Sequence, residues 1–103
     1  MKNKSTQKFF VQDKLVLQLY VSGMSPKSME AIENIKRLCD KLLKDTVELE
    51  IIDIYKNPQV AVEKQIVFSP SLIKRSPLPS RTLVGNFSDP QKVIKGLGIS
   101  FQD

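Results

Sequence analysis

Apolar residues recur along this chain in two periods. From Leu15 to Val21 six of seven positions are apolar, and Ser22-Gly23-Met24-Ser25-Pro26 closes the run. A short run of branched and aromatic residues bounded by turn residues predicts a central strand buried on both faces. Helical spacing follows. Ile32, Ile35, Cys39 and Leu42, joined by Ala31, Leu38 and Leu43, recur at three and four, which predicts one buried face on a helix over Pro26 to Lys44. Glu30, Glu33, Lys36, Arg37, Asp40 and Lys41 fill its water side. Ser25 is placed to cap the first free amides, and Pro26 suits the first helical position, where a missing N–H costs nothing. After Asp45-Thr46 the chain alternates again from Val47 to Ile54, a second strand. Strand, helix, strand predicts a right-handed crossover and hence a parallel pair.

The second half is more broken. Tyr55 and Lys56 lead out, Asn57 is placed as a cap, and Pro58 begins a short helix carrying Val60 and Ala61, with Gln65-Ile66 near its end. Pro70 cannot donate to a ladder, so it belongs just before a third strand, and the Ser69-Pro70 bond is a candidate for the cis form. Ser76-Pro77-Leu78-Pro79-Ser80 is a turn, Arg81 to Val84 an antiparallel partner strand, and Gly85-Asn86 its release. Ser88 with Gln91 three residues on matches a capping box ahead of a last helix holding Val93, Ile94 and Leu97. Gly96 and Gly98 weaken or end that helix. The order βαβ-α-ββ-α is an α/β, thioredoxin-like layout, with Pro70 where that fold keeps its cis-proline.

With 103 residues the chain suffices for one core and not two, so residues 14–103 are expected as one domain. Hydrophobic residues at 41% and charged residues at 26% are globular rather than disordered proportions. Apolar runs fall well short of the roughly 20 residues a bilayer span needs, and Phe9-Phe10-Val11 is too short for a signal peptide's core, so a cytoplasmic protein without a membrane role is expected. Lys2, Lys4, Lys8 and Lys14 against Asp13 alone place +3 of the net +5 in the first 14 residues. Residues 1–13 are expected as a flexible basic tail, its end packing beside the first strand. No aromatic-plus-basic ribonucleoprotein motif accompanies that charge, so nucleic acid is not the expected partner.

Chemistry is thinly represented. One cysteine allows no internal disulfide, and the absence of histidine removes the usual zinc sets and any histidine-based triad. No cofactor is expected. Disulfide exchange on a thioredoxin-like fold needs a Cys-x-x-Cys pair at the first helix's N-terminus, where the dipole lowers a thiol's pKa. That loop is Ser22-Gly23-Met24-Ser25 here, and Cys39 lies on the buried helical stripe instead.

At this point the chain resembles the KaiB family of small bacterial clock proteins. The resemblance covers about residues 15 to 97. It is carried by Leu17-Gln18-Leu19-Tyr20-Val21-Ser22-Gly23 with Ser25-Pro26 and Ser28, then Ile52-Asp53-Ile54 with Lys56-Asn57-Pro58-Gln59 and Ala61. Ser69-Pro70-Ser71-Leu72, Pro77-Leu78-Pro79, Arg81, Leu83-Val84-Gly85, Ser88 and Val93 to Leu97 continue it.

The resemblance implies a binding protein without catalysis, acting on a ring-shaped KaiC-like ATPase and self-associating as a dimer or tetramer. It also implies two packings of the second half: a thioredoxin-like one, and a ground state with the last two strands helical and the last helix a strand. The implied contact residues are Lys56, Asn57, Gln59 and Val60 with Lys74, Arg75 and Arg81. Pro70, Gly85, Gly96 and Gly98 are implied to determine the packing. Gln18, Glu30, Glu50 and Thr82 stand where cyanobacterial members carry basic residues, and exchanging a cation for Glu can turn attraction into repulsion. A non-cyanobacterial relative in a simpler timing or stress-response system is therefore expected, with another signalling partner as the alternative and a thiol redox enzyme as the remote one.

Overall fold

The computed structural model describes residues 14–43, 47–66 and 70–99. The chain forms β1 (Leu15–Val21), α1 (Pro26–Leu38), a π-helical turn (Cys39–Leu43), β2 (Val47–Asp53), α2 (Pro58–Glu63), β3 (Ser71–Ser76), β4 (Arg81–Val84) and α3 (Pro90–Leu97). The strands make one sheet in the order β2-β1-β3-β4. β1 pairs in parallel with β2, from Leu15 opposite Val47 to Val21 opposite Asp53, and antiparallel with β3. β3 and β4 are antiparallel. This is the thioredoxin-like packing of the two expected.

β1 is central because its sequence leaves little for water: Leu17, Leu19 and Tyr20 are wholly buried and Val21 nearly so. Leu15, Leu17, Leu19 and Val21 face one side, where Ala31, Ile35 and Leu38 of α1 and Val93, Ile94 and Leu97 of α3 close over them with Leu72 and Phe87. Each fully buried leucine contributes roughly 1.5–3 kcal/mol against an exposed one, so this face carries much of the fold.

Helix ends follow local chemistry with three departures. Ser25 caps α1 as expected, its Oγ accepting from the Ser28 amide at 3.2 Å, with Pro26 in the first turn. The regular helix stops at Leu38 rather than continuing to Lys44, and the wider turn that follows begins at the buried Cys39. Asn57 occupies the cap position of α2 without capping it; its side-chain amide instead donates to the Asp53 carbonyl at 3.2 Å. At α3 the cap is Asp89, not Ser88: the Asp89 carboxylate accepts from the amides of Gln91 and Lys92. Pro90 at the first helical position makes the residue before it the cap, and the Ser88 amide turns back to the Asn86 side chain.

Four residues expected to determine the packing fall at junctions. The Pro70 carbonyl accepts from the Gly85 amide at 3.3 Å, closing the β3–β4 pair. Gly96 lets α3 approach β4, since a Cβ there would lie 2.7 Å from a Leu83 methyl. Gly98 ends α3 in the left-handed region, φ 71°. Among the described residues the cis bonds are Ser76–Pro77 and Leu78–Pro79; Ser69, and with it the Ser69–Pro70 bond, lies outside them, as do residues 1–13.

Candidate functional site: the loops above β1 and β2

β1 and β2 run in parallel, so the turns that leave them meet at one end of the sheet. Asp53, the last residue of β2, joins the two. Its Oδ1 accepts from the Gly23 amide and from the Tyr55 amide, each at 2.9 Å, and its carbonyl accepts from the amides of Lys56 and Asn57 at 3.1 Å. The Gly23 and Tyr55 amides hold the Asp53 carboxyl below its ordinary range, because each stabilises the charged form. On the β1 side, buried Ser28 accepts from the Ser22 amide at 3.2 Å and from the Ser25 hydroxyl at 3.0 Å. The serines of this loop are thus structural. Ser25 is a cap and Ser28 is a tie.

The surface so fixed presents Met24 and Tyr55, each 73% exposed. Lys56, Asn57 and Gln59 are exposed beside Tyr55 in sequence, Val60 is half-buried, and Val62 on α2 is exposed. Sequence reasoning missed Met24, Tyr55 and Val62. The available signal was a methionine and a tyrosine inside turn segments, where no buried face claims them.

Lys74, Arg75 and Arg81 do not join this surface. β3 is antiparallel to β1, which carries its last residues to the opposite end: Lys74 lies opposite Leu17, about 13 Å of strand from Val21. Lys74 is 3% exposed. Arg75 is the extra residue of a β-bulge, where Val16 faces Ser76 and Leu17 faces Lys74. The bulge aims its guanidinium across the second face of the sheet, and it donates to Gln18 Oε1 and, at 3.3 Å, to the Tyr20 hydroxyl. Gln18 donates in turn to Glu50 at 3.0 Å. Two positions where the family resemblance implied lost cations, Gln18 and Glu50, are therefore hydrogen-bonded to each other. Arg81 is exposed at the start of β4, its guanidinium beside Gly98 at the end of α3, where a cation suits the helix dipole.

Other chemistry is sparse. Cys39 is buried, and burial, with Asp40 adding to it, pushes its thiol up to about 11. It lies at the far end of α1 from the loop a redox site would use. Among the described residues no group of His, Cys, Asp and Glu is placed to hold a metal ion, and no helix is long and apolar enough to cross a membrane. A cleft of about 310 Å³ lies between β4 and α3, lined by Leu83 through Asp89 with Lys92 and Val93. Val84 lies opposite Ser71 and Ser71 opposite Tyr20, so the cleft sits at the same end of the sheet as the loop after β1, two strands away from it.

Comparison with known proteins agrees with this architecture. The family model described as the KaiB domain matches residues 18–99. Circadian clock protein KaiB3 of Synechocystis sp. is 42% identical over 87 residues, covering 84% of this chain and 85% of that protein. Circadian clock oscillator protein KaiB of Rippkaea orientalis is 39% identical over 88 residues, 85% of each chain. Among solved structures, the N-terminal domain of Synechococcus elongatus SasA superposes with a TM-score of 0.67 at 24% identity, over 82% of this chain and 84% of that one. Mitochondrial thioredoxin 3 of Saccharomyces cerevisiae gives 0.66 at 12%, over 92% and 87%; at these identities the two structures share the fold. By the family model and by its curated relatives, the chain belongs to the KaiB family.

Proposed function

We propose that this protein is a non-catalytic regulator that binds a KaiC-like ring ATPase in a timing or stress-response system. The observation that carries the reading is the match to the KaiB domain over residues 18–99, with relatives named as circadian clock proteins at about two-fifths identity. The contact surface in this reading is the loop pair above β1 and β2. Met24 and Tyr55 supply exposed apolar area, and Lys56, Asn57, Gln59 and Val60 supply the rim. Aromatic anchors within a polar rim are the usual composition of a binding hot spot. Arg75 and Arg81 have structural roles in this reading, in the bulge network and at the end of α3. Lys74 is buried in this packing and takes no part in the contact.

A second reading, a different signalling partner on the same fold, draws support from Gln18, Glu30, Glu50 and Thr82, which the family resemblance places at positions of lost cations. Size-exclusion chromatography with light scattering separates the two. The protein is run alone and with the KaiC-like ATPase of the same organism, with ATP present and over a day. A complex, or a change in ATP hydrolysis, supports the first reading. An oligomer of this chain alone that never binds the ATPase defeats it.

A further inference from the structure

α1 and the loop that leads into α3 are joined by one bond and parted by one gap. The Asn34 side-chain amide donates to the Asn86 carbonyl at 2.9 Å, and beside that tie a small cavity of about 90 Å³ opens between the two segments. Asn34, Arg37 and Lys41 line it from α1 and the π-helical turn, and Ser88 faces them from the loop. Leu38 and Phe87 add apolar wall. Both cations have capacity to spare. Arg37 reaches Glu33 only at 3.8 Å, between side chains 55% and 74% exposed, where an ion pair is weak. It spends one N–H on Asn34 Oδ1 at 3.4 Å, and a guanidinium carries five. Among the described residues Lys41 and the Ser88 hydroxyl make no hydrogen bond or ion pair, and no acid lines the cavity. Asp40, between the two cations in sequence, is exposed and is not one of its walls. Asp89, next to Ser88, has its carboxylate turned to the Gln91 and Lys92 amides.

We propose that this cavity binds a tetrahedral oxyanion, either orthophosphate or the terminal phosphoryl group of a phosphomonoester. Its volume is about three times the roughly 30 Å³ that one water takes in the liquid. That holds one such ion and leaves no room for a nucleoside. The donors suit the same ligand. Arg37 offers a planar fork that can take two oxygens at once, Lys41 a point charge, and Ser88 a hydroxyl donor from the opposite wall. A carboxylate is planar and singly charged, and the fork alone would satisfy it. Two cations and a third donor facing them match a dianion whose oxygens point in several directions. Leu38 and Phe87 keep water from part of the cavity, which strengthens each charge-assisted bond. A bound ion bridges α1 to the loop before α3, a gap that Asn34 otherwise spans with a single hydrogen bond. Because the site exists only where the two segments meet, binding favours the folded state by mass action.

Two-dimensional NMR of the full-length chain tests this, with sodium phosphate and phenyl phosphate titrated in parallel at constant ionic strength and sodium chloride as the control. The Ser88 amide, the Asn34 side-chain amide and the Arg37 Nε–H are expected to shift together and to saturate with a Kd on the order of 1 mM. Chloride leaves them in place. Saturation by phosphate alone assigns a site for the free ion, and saturation by both assigns one open to a phosphomonoester. Arg37→Gln/Lys41→Gln weakens the response about tenfold or more, as for lost charge-assisted bonds. Lys92→Gln, on the neighbouring cleft between β4 and α3, leaves it unchanged. Unaltered Leu17 and Leu19 amide resonances show that each variant is folded. Shifts that grow without saturating, that chloride reproduces, that persist undiminished in the double variant or that vanish with Lys92→Gln overturn the proposal.

Discussion

The carboxylate of Asp53 accepts the amide of Gly23 at 2.9 Å, across 30 residues of sequence. The same oxygen takes the Tyr55 amide, so one ionised side chain holds the turn after β1 to the turn after β2. Both bonds favour the charged form and lower its pKa. The stability this group contributes is present above the unfolded aspartate value, about 3.9, and is lost as pH falls below it toward the lower folded value. In Asp53→Asn the acid limb of the stability curve below about pH 4 flattens, and the Gly23 and Tyr55 amide resonances shift at neutral pH. A carboxyl resonance of Asp53 titrating at or above the ordinary range would contradict this.

Gly96 has Leu83 against it. A Cβ at position 96 would sit 2.7 Å from one Leu83 methyl and 3.1 Å from the other. Gly96→Ala gains about 1 kcal/mol of helix propensity and loses roughly 1–3 kcal/mol to overpacking. A net destabilisation of up to about 2 kcal/mol is expected in urea unfolding. Because the clash is with one side chain, the double variant with Leu83→Ala should be more stable than the sum of the two single changes allows.

Cys39 predicts an alkaline slope. Its thiol is raised to about 11 from 9.0, so the unfolded chain ionises first. The contribution is fully present below about pH 9 and falls away as pH rises toward 11, by at most about 2–3 kcal/mol. Subtracting the profile of Cys39→Ala from that of wild type isolates it from the lysines and tyrosines. The same burial predicts that a thiol reagent at pH 8 labels wild type at the rate of unfolding and not at that of an exposed cysteine.

The first half of the fold was legible because its signals are local and strong. Six apolar residues in seven made β1 central, Ser25-Pro26 fixed the start of α1, and the crossover made β2 parallel. The π-turn at Cys39 was not legible, since Leu38 and Cys39 fit a regular helical stripe and tertiary packing decides where the register widens. Asp89-Pro90 carried its own cap signal, which the Ser88 and Gln91 spacing obscured. At the candidate site, Asn57-Pro58 marked where α2 begins, whereas Lys56, Asn57, Gln59 and Val60 entered as contact residues through the family resemblance alone. The separation of Arg75 and Arg81 from them was not legible, because it depends on β3 running antiparallel to β1 and on a bulge that no residue type announces.

In the proposed function the loop pair above β1 and β2 binds a KaiC-like ATPase. A light-scattering titration of that ATPase with wild type, Tyr55→Ala, Lys56→Glu and Arg75→Ala checks this. A wild-type complex is expected, weakened about tenfold or more by Tyr55→Ala and by Lys56→Glu, as for truncated anchors and reversed rim charges. Arg75→Ala, at the other end of the sheet, should bind as wild type does. No complex, or a complex indifferent to Tyr55 and Lys56 and lost with Arg75, would rule out this surface as the binding site.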